Sequence, residues 1–159
     1  MTSRLILVCG LTGAGKTTLS KKLAKQLPAT RLCPDDWLRD FGVDLWDAGF
    51  RDRLERLLWK HAQELLQLDQ TVILEYGFWA KWERDEKHQW AREHNIPVEL
   101  LFLDVPFGEL LRRVQSRHEG DKADEIRISR EQLQEFIARF QPPDADEMKL
   151  YDQPRQVAS

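Results

Sequence analysis

The stretch that decides the fold is Val8-Cys9-Gly10-Leu11-Thr12-Gly13-Ala14-Gly15-Lys16-Thr17-Thr18. It follows the apolar run Leu5-Ile6-Leu7-Val8 and precedes a segment with leucines at positions 19, 23 and 27. This order predicts a strand, a glycine-rich loop and a helix, with the pattern G-x-x-x-x-G-K-T at the junction. Glycines allow backbone angles that other residues rarely adopt, so several N–H groups can point into one anion-sized concavity. The stretch therefore predicts a phosphate-binding loop, or P-loop.

The loop residues have distinct chemical roles. The helix that follows Gly15 directs the positive end of its dipole at the bound phosphates. Lys16 is predicted to neutralise the β- and γ-phosphates, and the Thr17 hydroxyl is placed to ligate Mg²⁺. A nucleoside triphosphate and Mg²⁺ are therefore the predicted ligands of the loop. We expect the whole loop to bind the nucleotide: Gly10, Leu11, Thr12, Gly13, Ala14, Gly15, Lys16, Thr17 and Thr18.

Length and composition limit the class of protein. The 159 residues are 42% apolar and 32% charged, which predicts one globular domain over residues 1–159. The sequence has no apolar run of 18 residues and no signal peptide, which predicts a cytoplasmic protein without membrane contact, with Cys9 and Cys33 as reduced thiols. The net charge of −3 disfavours extended nucleic-acid binding. The oligomeric state is left open, because nothing in the sequence marks an interface.

Strand and helix patterns alternate along the chain. Strands are predicted at residues 4–9, 30–33, 71–74 and 98–103, and helices at 15–27, from about 47, at about 80–94, from 106, and from 129. Residues 118–128 lack periodicity, so we predict a mobile lid at about 117–130, and the polar tail 144–159 has no strong fifth strand. Alternation of this kind predicts an α/β fold with a short parallel sheet between helical layers, as in the three-layer, kinase-type P-loop NTPases.

Carboxylates follow two of the predicted strands, at the edge where parallel sheets bind ligands. Asp35 and Asp36 follow the second strand, where a carboxylate could orient a substrate hydroxyl and take its proton. Their alternative role is to cap a helical turn over residues 36–40. Glu75 ends the third strand and needs a partner there. That partner could be a magnesium-bound water, Lys16, a substrate hydroxyl or an ordinary buried ion pair.

Aromatic and basic side chains complete the candidate site. Trp37, Phe78 and Trp79 follow strands at the binding edge, so they could form an apolar wall of an acceptor pocket, with simple packing as the alternative. Arg113 and Arg117 lie four residues apart and flank the apolar face of their predicted helix. An arginine brought over the transferring phosphate by lid closure would stabilise its charge, with a solvated basic face as the alternative.

Taken together, these pieces resemble a known family. In order along residues 4–143, the matching pieces are Gly10–Thr18, Pro34-Asp35-Asp36-Trp37, Val72-Ile73-Leu74-Glu75-Tyr76-Gly77-Phe78-Trp79, Leu103-Asp104-Val105-Pro106, the Arg113/Arg117 pair and Phe140-Gln141-Pro142-Pro143. The sequence resembles the small P-loop kinases that include chloramphenicol phosphotransferase, zeta toxin, gluconate kinase and the kinase domain of polynucleotide kinase. The resemblance implies an ATP:alcohol phosphotransferase, with Asp35 as general base and Arg113 and Arg117 as lid arginines.

Two positions depart from the pattern of that family. Polynucleotide kinases have an arginine three residues after the base, whereas this sequence has Leu38 there and Arg39 next to it. Arg39 is therefore the basic residue that we expect near the substrate, and recognition of polynucleotide ends is disfavoured. The third strand often ends in Asp in the family and ends here in Glu75. This glutamate could serve the metal or the substrate.

The predicted function is transfer of the γ-phosphate of ATP to a hydroxyl of a small molecule, with Lys16, Asp35 and Arg117 as catalytic residues. Two alternatives stay open. One is a kinase of nucleic-acid 5′-hydroxyl ends, and the other is a regulatory switch that binds and slowly hydrolyses a nucleotide without an acceptor. The sequence has no Asn-Lys-x-Asp motif, which counts against a GTPase.

Overall fold

The computed structural model describes residues 3–116 and 128–155. Its strands are β1 (Leu5–Cys9), β2 (Thr30–Leu32), β3 (Val72–Gly77) and β4 (Val98–Phe102). Its helices are α1 (Lys16–Gln26), α2 (Pro34–Phe41), α3 (Ala48–Gln67), α4 (Lys81–Glu93), α5 (Phe107–Ser116), α6 (Arg130–Arg139) and α7 (Ala145–Met148). Within the described residues, no helix is both long enough and apolar enough to span a membrane.

The four strands form one parallel sheet in the order β2-β3-β1-β4. Leu5 of β1 is paired with Val72 of β3 on one side and with Val98 of β4 on the other. Because β1 is central and covered on both faces, all five of its residues are buried, as expected for an apolar parallel strand. The predicted α/β fold with a short parallel sheet is confirmed.

Helices cover both faces of the sheet. Alternate residues of β1 point to opposite sides, so Leu5 and Leu7 join the core under α3 and α4, whereas Ile6 and Val8 pack against Leu23 of α1. A third apolar cluster joins α5 and α6 to the P-loop through Ala14, Leu110 and Leu133. The sheet therefore presents its carboxyl-terminal edge, with the P-loop, to a space bordered by α2, α3 and α6.

Two boundaries differ from the predictions in a way that matters for the site. β3 continues three residues beyond its predicted end at Leu74, because Gly77 O accepts a hydrogen bond of 3.0 Å from Gly10 N–H. Helix α2 begins at Pro34, and its N-cap is Cys33. The capping role considered for Asp36 is therefore wrong, since Asp35 and Asp36 both lie inside the first turn. Proline suits the first helical position, because an N–H group at that position would have no acceptor within the helix.

The end of the chain is ordered further than its polarity predicts. Helix α7 follows α6, and Tyr151 is buried against the main core. No fifth strand is present among the described residues, as expected, and residues 156–159 lie outside them. Cys9 and Cys33 are both free and buried, and burial raises the pKa of each thiol to about 12.

A buried ion pair ties this terminal segment to the sheet edge. Arg84 of α4 is 0% exposed and donates from Nε and Nη2 to the two carboxylate oxygens of Glu147, at 2.6 and 2.9 Å. Its Nη1 donates to Phe78 O at 2.8 Å. This pair joins α4, α7 and the turn after β3, so it supports the wall of the site from behind.

Breaking one partner of this pair should strongly destabilise the protein. We expect Glu147→Gln to lower the free energy of unfolding by about 3–5 kcal/mol, because it leaves the Arg84 charge buried without its counter-ion. Urea denaturation measures this directly. The control Asp85→Asn removes an exposed pair with Lys81 on the same helix and should leave the midpoint nearly unchanged. Equal midpoints for the two variants would contradict this role of the buried pair.

Candidate active site

The P-loop geometry requires glycine at two positions. Gly13 and Gly15 have φ angles of +86° and +97°, which side chains of L residues rarely adopt. A Cβ atom at Gly13 would also lie 3.1 Å from Cγ2 of Val114. Gly15 is the N-cap residue of the eleven-residue helix α1. Because glycine has no side chain that could accept a hydrogen bond, the first N–H groups of the helix have no side-chain acceptor there. This arrangement suits a phosphate group.

Lys16 is the first residue of α1 and lies at the end of the P-loop. Its Nζ donates to Gly10 O at 2.9 Å and to Leu11 O at 3.0 Å, so the side chain folds back over the loop. Burial lowers the pKa of Lys16, and the negative charges of Glu75 and Asp35 oppose that shift. The ammonium is thus held by two carbonyls that phosphate oxygens could replace.

Glu75 is the polar centre of this edge and is only 7% exposed. Its Oε2 accepts from Thr17 Oγ1 at 2.7 Å and from Cys33 Sγ at 3.3 Å. Its Oε1 accepts from Arg31 Nε at 2.9 Å and from the hydroxyl of Ser20. Glu75 therefore combines two of the predicted environments, since it forms a buried ion pair with Arg31 and also contacts the hydroxyl predicted to ligate magnesium.

The residues present fit a magnesium ion that is shared with phosphate. Thr17 and Glu75 bring a hydroxyl and a carboxylate oxygen within 2.7 Å of each other, and Mg²⁺ prefers such oxygen donors. Within residues 3–116 and 128–155, no group of three or more His, Cys, Asp and Glu could hold a metal by itself. This fits the usual way in which Mg²⁺ binds to one or two protein groups together with substrate phosphates.

A cavity of about 420 Å³ opens beside the P-loop. It lies between the loop, the end of β3 and helices α2, α3 and α6. The predicted site residues that line it are Thr12, Lys16, Asp35, Arg39, Glu75 and Trp79. The structure thus brings both the P-loop lysine and the candidate base to one cavity of a size that suits a small ligand.

Asp35 reaches this cavity from the first turn of α2. Its Oδ1 accepts from Arg51 Nη2 at 2.6 Å, and Arg51 also donates to Leu45 O at 3.1 Å. Arg51 lies in the first turns of α3 and lines the same cavity. The sequence analysis missed Arg51, because only the packing of α3 against α2 brings it to the aspartate.

The other residues after β2 separate into two groups. Arg39 lines the cavity, whereas Asp36 points away and accepts from Arg31 Nη1 at 2.6 Å. Trp37 is 41% exposed, packs against Phe41 with 6.3 Å between ring centroids, and does not line the cavity. Successive side chains of a helix point in different directions, so Asp36 and Trp37 do not line the cavity that Arg39 lines.

The aromatic wall is built differently from the prediction. Trp79 lines the cavity, but Phe78 is 0% exposed and stacks on Tyr76 in the core, which corrects its predicted place in the pocket. Positive φ angles at Gly77 and Phe78, of 84° and 51°, turn the chain at this point. The wall is completed by two residues that the sequence analysis missed. Phe136 of α6 lies 5.2 Å from Trp79, and Trp46 lies 5.7 Å from Phe136, by ring centroids.

Of the two predicted lid arginines, the structure describes one. Arg113 of α5 donates from Nη1 to Gly13 O at 3.1 Å and from Nε to Glu109 at 2.9 Å, so it lies against the P-loop. Arg117 and most of the predicted lid, 117–130, lie outside the described residues.

Two further carboxylates line the cavity. Glu55 lies on α3 and Glu83 on α4. Burial raises the pKa of Glu55 to about 7, and the charge of Glu83 adds to this shift while Arg51 and Lys87 oppose it. Burial also raises the pKa of Glu83. Neither residue could be predicted from the sequence, because a polar residue on an amphipathic helix has the same pattern whether it faces a cavity or solvent.

Solved structures of other proteins share this fold. A candidate kinase from Chloroflexus aurantiacus J-10-fl has a TM-score of 0.70 and 24% identity, over 89% of this chain and 79% of that one. A gluconokinase from Sinorhizobium meliloti 1021 has a TM-score of 0.61 and 18% identity, over 90% of this chain and 78% of that one. A chain of the Pnkp1/Rnl/Hen1 RNA repair complex has a TM-score of 0.72 and 19% identity, over 99% of this chain and 50% of that one.

No curated protein matches the chain in sequence. The structural neighbours confirm the predicted resemblance to the small P-loop kinases at the level of the fold. The profile of one family, described as "AAA domain", matches residues 5–143, which include the P-loop, Asp35, Glu75 and Arg113. This chain therefore belongs to the AAA domain family and has the fold of the P-loop kinases.

Proposed function

We propose that this protein is an ATP-dependent phosphotransferase that moves the γ-phosphate of ATP to a hydroxyl group of a small molecule. One observation carries the proposal. Asp35, a carboxylate able to act as general base, lines the same 420 Å³ cavity as Lys16 of the P-loop. A carboxylate base and the P-loop lysine on one cavity are the groups that phosphoryl transfer to an alcohol requires.

In the proposed reaction, the acceptor hydroxyl attacks the γ-phosphorus while Asp35 takes its proton. A new bond forms between the acceptor oxygen and phosphorus, the bond from phosphorus to the β,γ-bridging oxygen breaks, and ADP leaves. Arg51 engages Oδ1 of Asp35 at 2.6 Å, so we assign Oδ2 to the substrate hydroxyl. The ion pair holds the carboxylate in one orientation, which keeps the base within reach of the proton.

The P-loop side of the cavity stabilises negative charge during the transfer. Lys16 would exchange its two carbonyl acceptors for phosphate oxygens, and Arg113 lies against Gly13 at the edge of the loop. Arg117 is proposed to join them from the lid. When bound, Mg²⁺ held by Thr17 and by Glu75 would supply further charge neutralisation on the phosphates.

The cavity supports a small-molecule acceptor over a nucleic-acid end. Its volume suits one small ligand, and the net charge of −3 gives no broad basic surface for a polynucleotide. The regulatory-switch alternative makes a different demand, because it requires no acceptor at all. A broad panel of hydroxyl compounds that never stimulates ATP consumption would support the switch and overturn the kinase proposal.

Replacing the proposed base should abolish transfer while sparing nucleotide binding. We expect Asp35→Asn to lower acceptor-stimulated ATP consumption by about 10²–10⁴-fold, because the amide cannot accept the proton. The affinity for ATP, measured by calorimetry, should stay within about threefold of the wild type, since Asp35 lies on the acceptor side. The exposed Asp40→Asn on the same helix is the matched control. Unchanged transfer in the Asp35 variant would remove this residue from the mechanism.

Removing charge from the phosphate side should act on both binding and rate. We expect Lys16→Ala to reduce turnover by about 10²–10³-fold, as is typical when one group that stabilises transition-state charge is lost. The same assay with the exposed Lys22→Ala of α1 controls for a general change in charge. A loss below about tenfold for Lys16→Ala would contradict the proposed role of this lysine.

A further inference from the structure

Four acidic residues (Asp35, Glu55, Glu75 and Glu83) and four basic residues (Lys16, Arg39, Arg51 and Arg139) line the cavity, but their direct contacts are uneven. Asp35 is paired with Arg51 at 2.6 Å, and Glu75 is paired with Arg31 and hydrogen-bonded to Thr17. Glu55 and Glu83 also line the cavity. Among the described residues, neither has an ion pair within 4.0 Å or a side-chain hydrogen bond. The cavity thus contains two carboxylates whose charge the protein does not neutralise by direct contact.

The carboxylate of Glu55 is the more informative of the two. Glu83 lies in the first turn of α4, where the helix dipole favours a negative charge without any ligand. Glu55 lies in the middle of α3, so no helix terminus stabilises it. The hydroxyl of Tyr76 donates to the main-chain carbonyl of Glu55 at 2.8 Å, which fixes this turn of α3 against β3. The fold therefore holds the side chain of Glu55 in the cavity wall.

The charged groups around Glu55 leave it in an unfavourable environment. Glu83 and Asp52 repel its negative charge, whereas Arg51 and Lys87 attract it. Arg51 is already engaged by Asp35. Lys87 contacts Glu86 at 3.0 Å and lies over the rings of Trp59, Tyr76 and Phe78, at 5.3 to 5.9 Å. Burial is the largest of these influences and raises the pKa of Glu55. A bound cation would act in the opposite direction and favour the ionised carboxylate.

The rest of the wall has the chemistry that cation binding requires. Trp46, Trp79 and Phe136 pack at centroid distances of 5.2 and 5.7 Å and form one aromatic surface of the same cavity. The faces of aromatic rings attract positive charge, and cages of aromatic rings and carboxylates recognise amines. Of the basic residues that line the cavity, Lys16 contacts the P-loop, Arg51 contacts Asp35, and Arg39 lies 3.6 Å from Asp36. Arg139 lines the cavity from α6, and neither it nor Arg39 is among the charges that act most strongly on Glu55.

We propose that the acceptor is a small alcohol that carries a positively charged amine, which Glu55 and Glu83 bind beside the aromatic surface of Trp46, Trp79 and Phe136. This inference rests on the proposed kinase function and names its substrate class. Asp35 would contact the hydroxyl group of the acceptor, and Glu55 would bind its ammonium group. Arg51, which holds Asp35, and Glu55 lie four residues apart on α3, so the two subsites share one face of this helix.

A carboxylate kept for a ligand should cost stability when no ligand is bound. The pKa of Glu55 is about 7 in the folded protein and about 4.5 when the chain unfolds, so the folded state holds more protons between these values. The contribution of Glu55 to the free energy of unfolding should therefore fall as pH rises from 4.5 to 7. We expect Glu55→Gln to raise the Tm at pH 8 by about 2–4 °C relative to the wild type, and much less at pH 4.5.

Thermal unfolding followed by circular dichroism at both pH values measures this difference. The exposed Glu93→Gln of α4 is the matched control, since Glu93 contacts only Gln89 by a side-chain hydrogen bond. A Glu55→Gln variant that is less stable than the wild type at pH 8 would mean that Glu55 has a structural partner, which would overturn the proposal. Because the variant is expected to fold at least as well as the wild type, its loss of binding can be interpreted.

The acceptor class is tested with paired alcohols that differ in charge. Choline is compared with its uncharged carbon isostere, 3,3-dimethyl-1-butanol, and primary amino alcohols are compared with their N-acetyl derivatives. Hydroxy acids form the anionic group. We expect at least one cationic alcohol to stimulate ATP consumption with a kcat/KM at least about tenfold above its neutral partner, as one desolvated charge contact allows. For that acceptor, Glu55→Gln and Glu83→Gln should raise KM more than they lower kcat, and Glu93→Gln should change neither.

The pH dependence adds an independent measurement. With a pKa of about 7, the ionised fraction of Glu55 rises about tenfold between pH 6 and pH 8, so the affinity for choline should rise by up to that factor in the wild type and depend less on pH in Glu55→Gln. Stimulation by neutral or anionic alcohols equal to that by cationic ones would overturn the acceptor class and leave the kinase function standing. No stimulation by any alcohol would overturn the proposed function itself.

Discussion

The site depends on one buried carboxylate, Glu75. A carboxylate with 7% exposure at the end of a central strand is costly unless each oxygen has partners, and here it receives donors from three elements. Thr17 and Ser20 come from α1, Arg31 comes from β2, and Cys33 follows β2. This network fixes the start of the P-loop helix relative to the sheet. The same contacts therefore stabilise the fold and orient the hydroxyl predicted to bind magnesium.

Around that network, the structure separates two chemistries. Glycines, a helix N-terminus, Lys16 and Arg113 lie on the P-loop side, where we propose that the phosphates bind. Asp35, Glu55 and Glu83, with an aromatic surface, lie on the proposed acceptor side. The separation follows from topology, because the P-loop belongs to the central strand while the acceptor wall is assembled from α2, α3, α4 and α6. The phosphate side is local in sequence, and the acceptor side is not.

The sequence predicted the elements well where local patterns are strong. The apolar run of β1, the P-loop and the start of the last long helix near residue 129 were all predicted from spacing alone, and the structure contains them, with a capping box of Ser129 and Gln132 at the start of α6. It also placed Asp35 after β2, in the position that the cavity uses. The prediction was less successful after β3, where two adjacent aromatic residues lie in different environments. Phe78 is in the core and Trp79 is in the cavity, because a turn with positive φ angles separates them.

By itself, the sequence determined the phosphate-binding loop, the parallel α/β architecture and the family, because these depend on residues within one strand, loop and helix. Only the tertiary structure decided which side chains form the acceptor pocket. Arg51, Glu55 and Phe136 are unremarkable positions on amphipathic helices, and their roles depend on the packing of α3 and α6 beside the sheet edge. Contacts between distant segments are set by the sum of many apolar interactions in the core, which no local pattern records. That is why Gly10–Thr18 could be interpreted from the chain, while the partner of Asp35 could not.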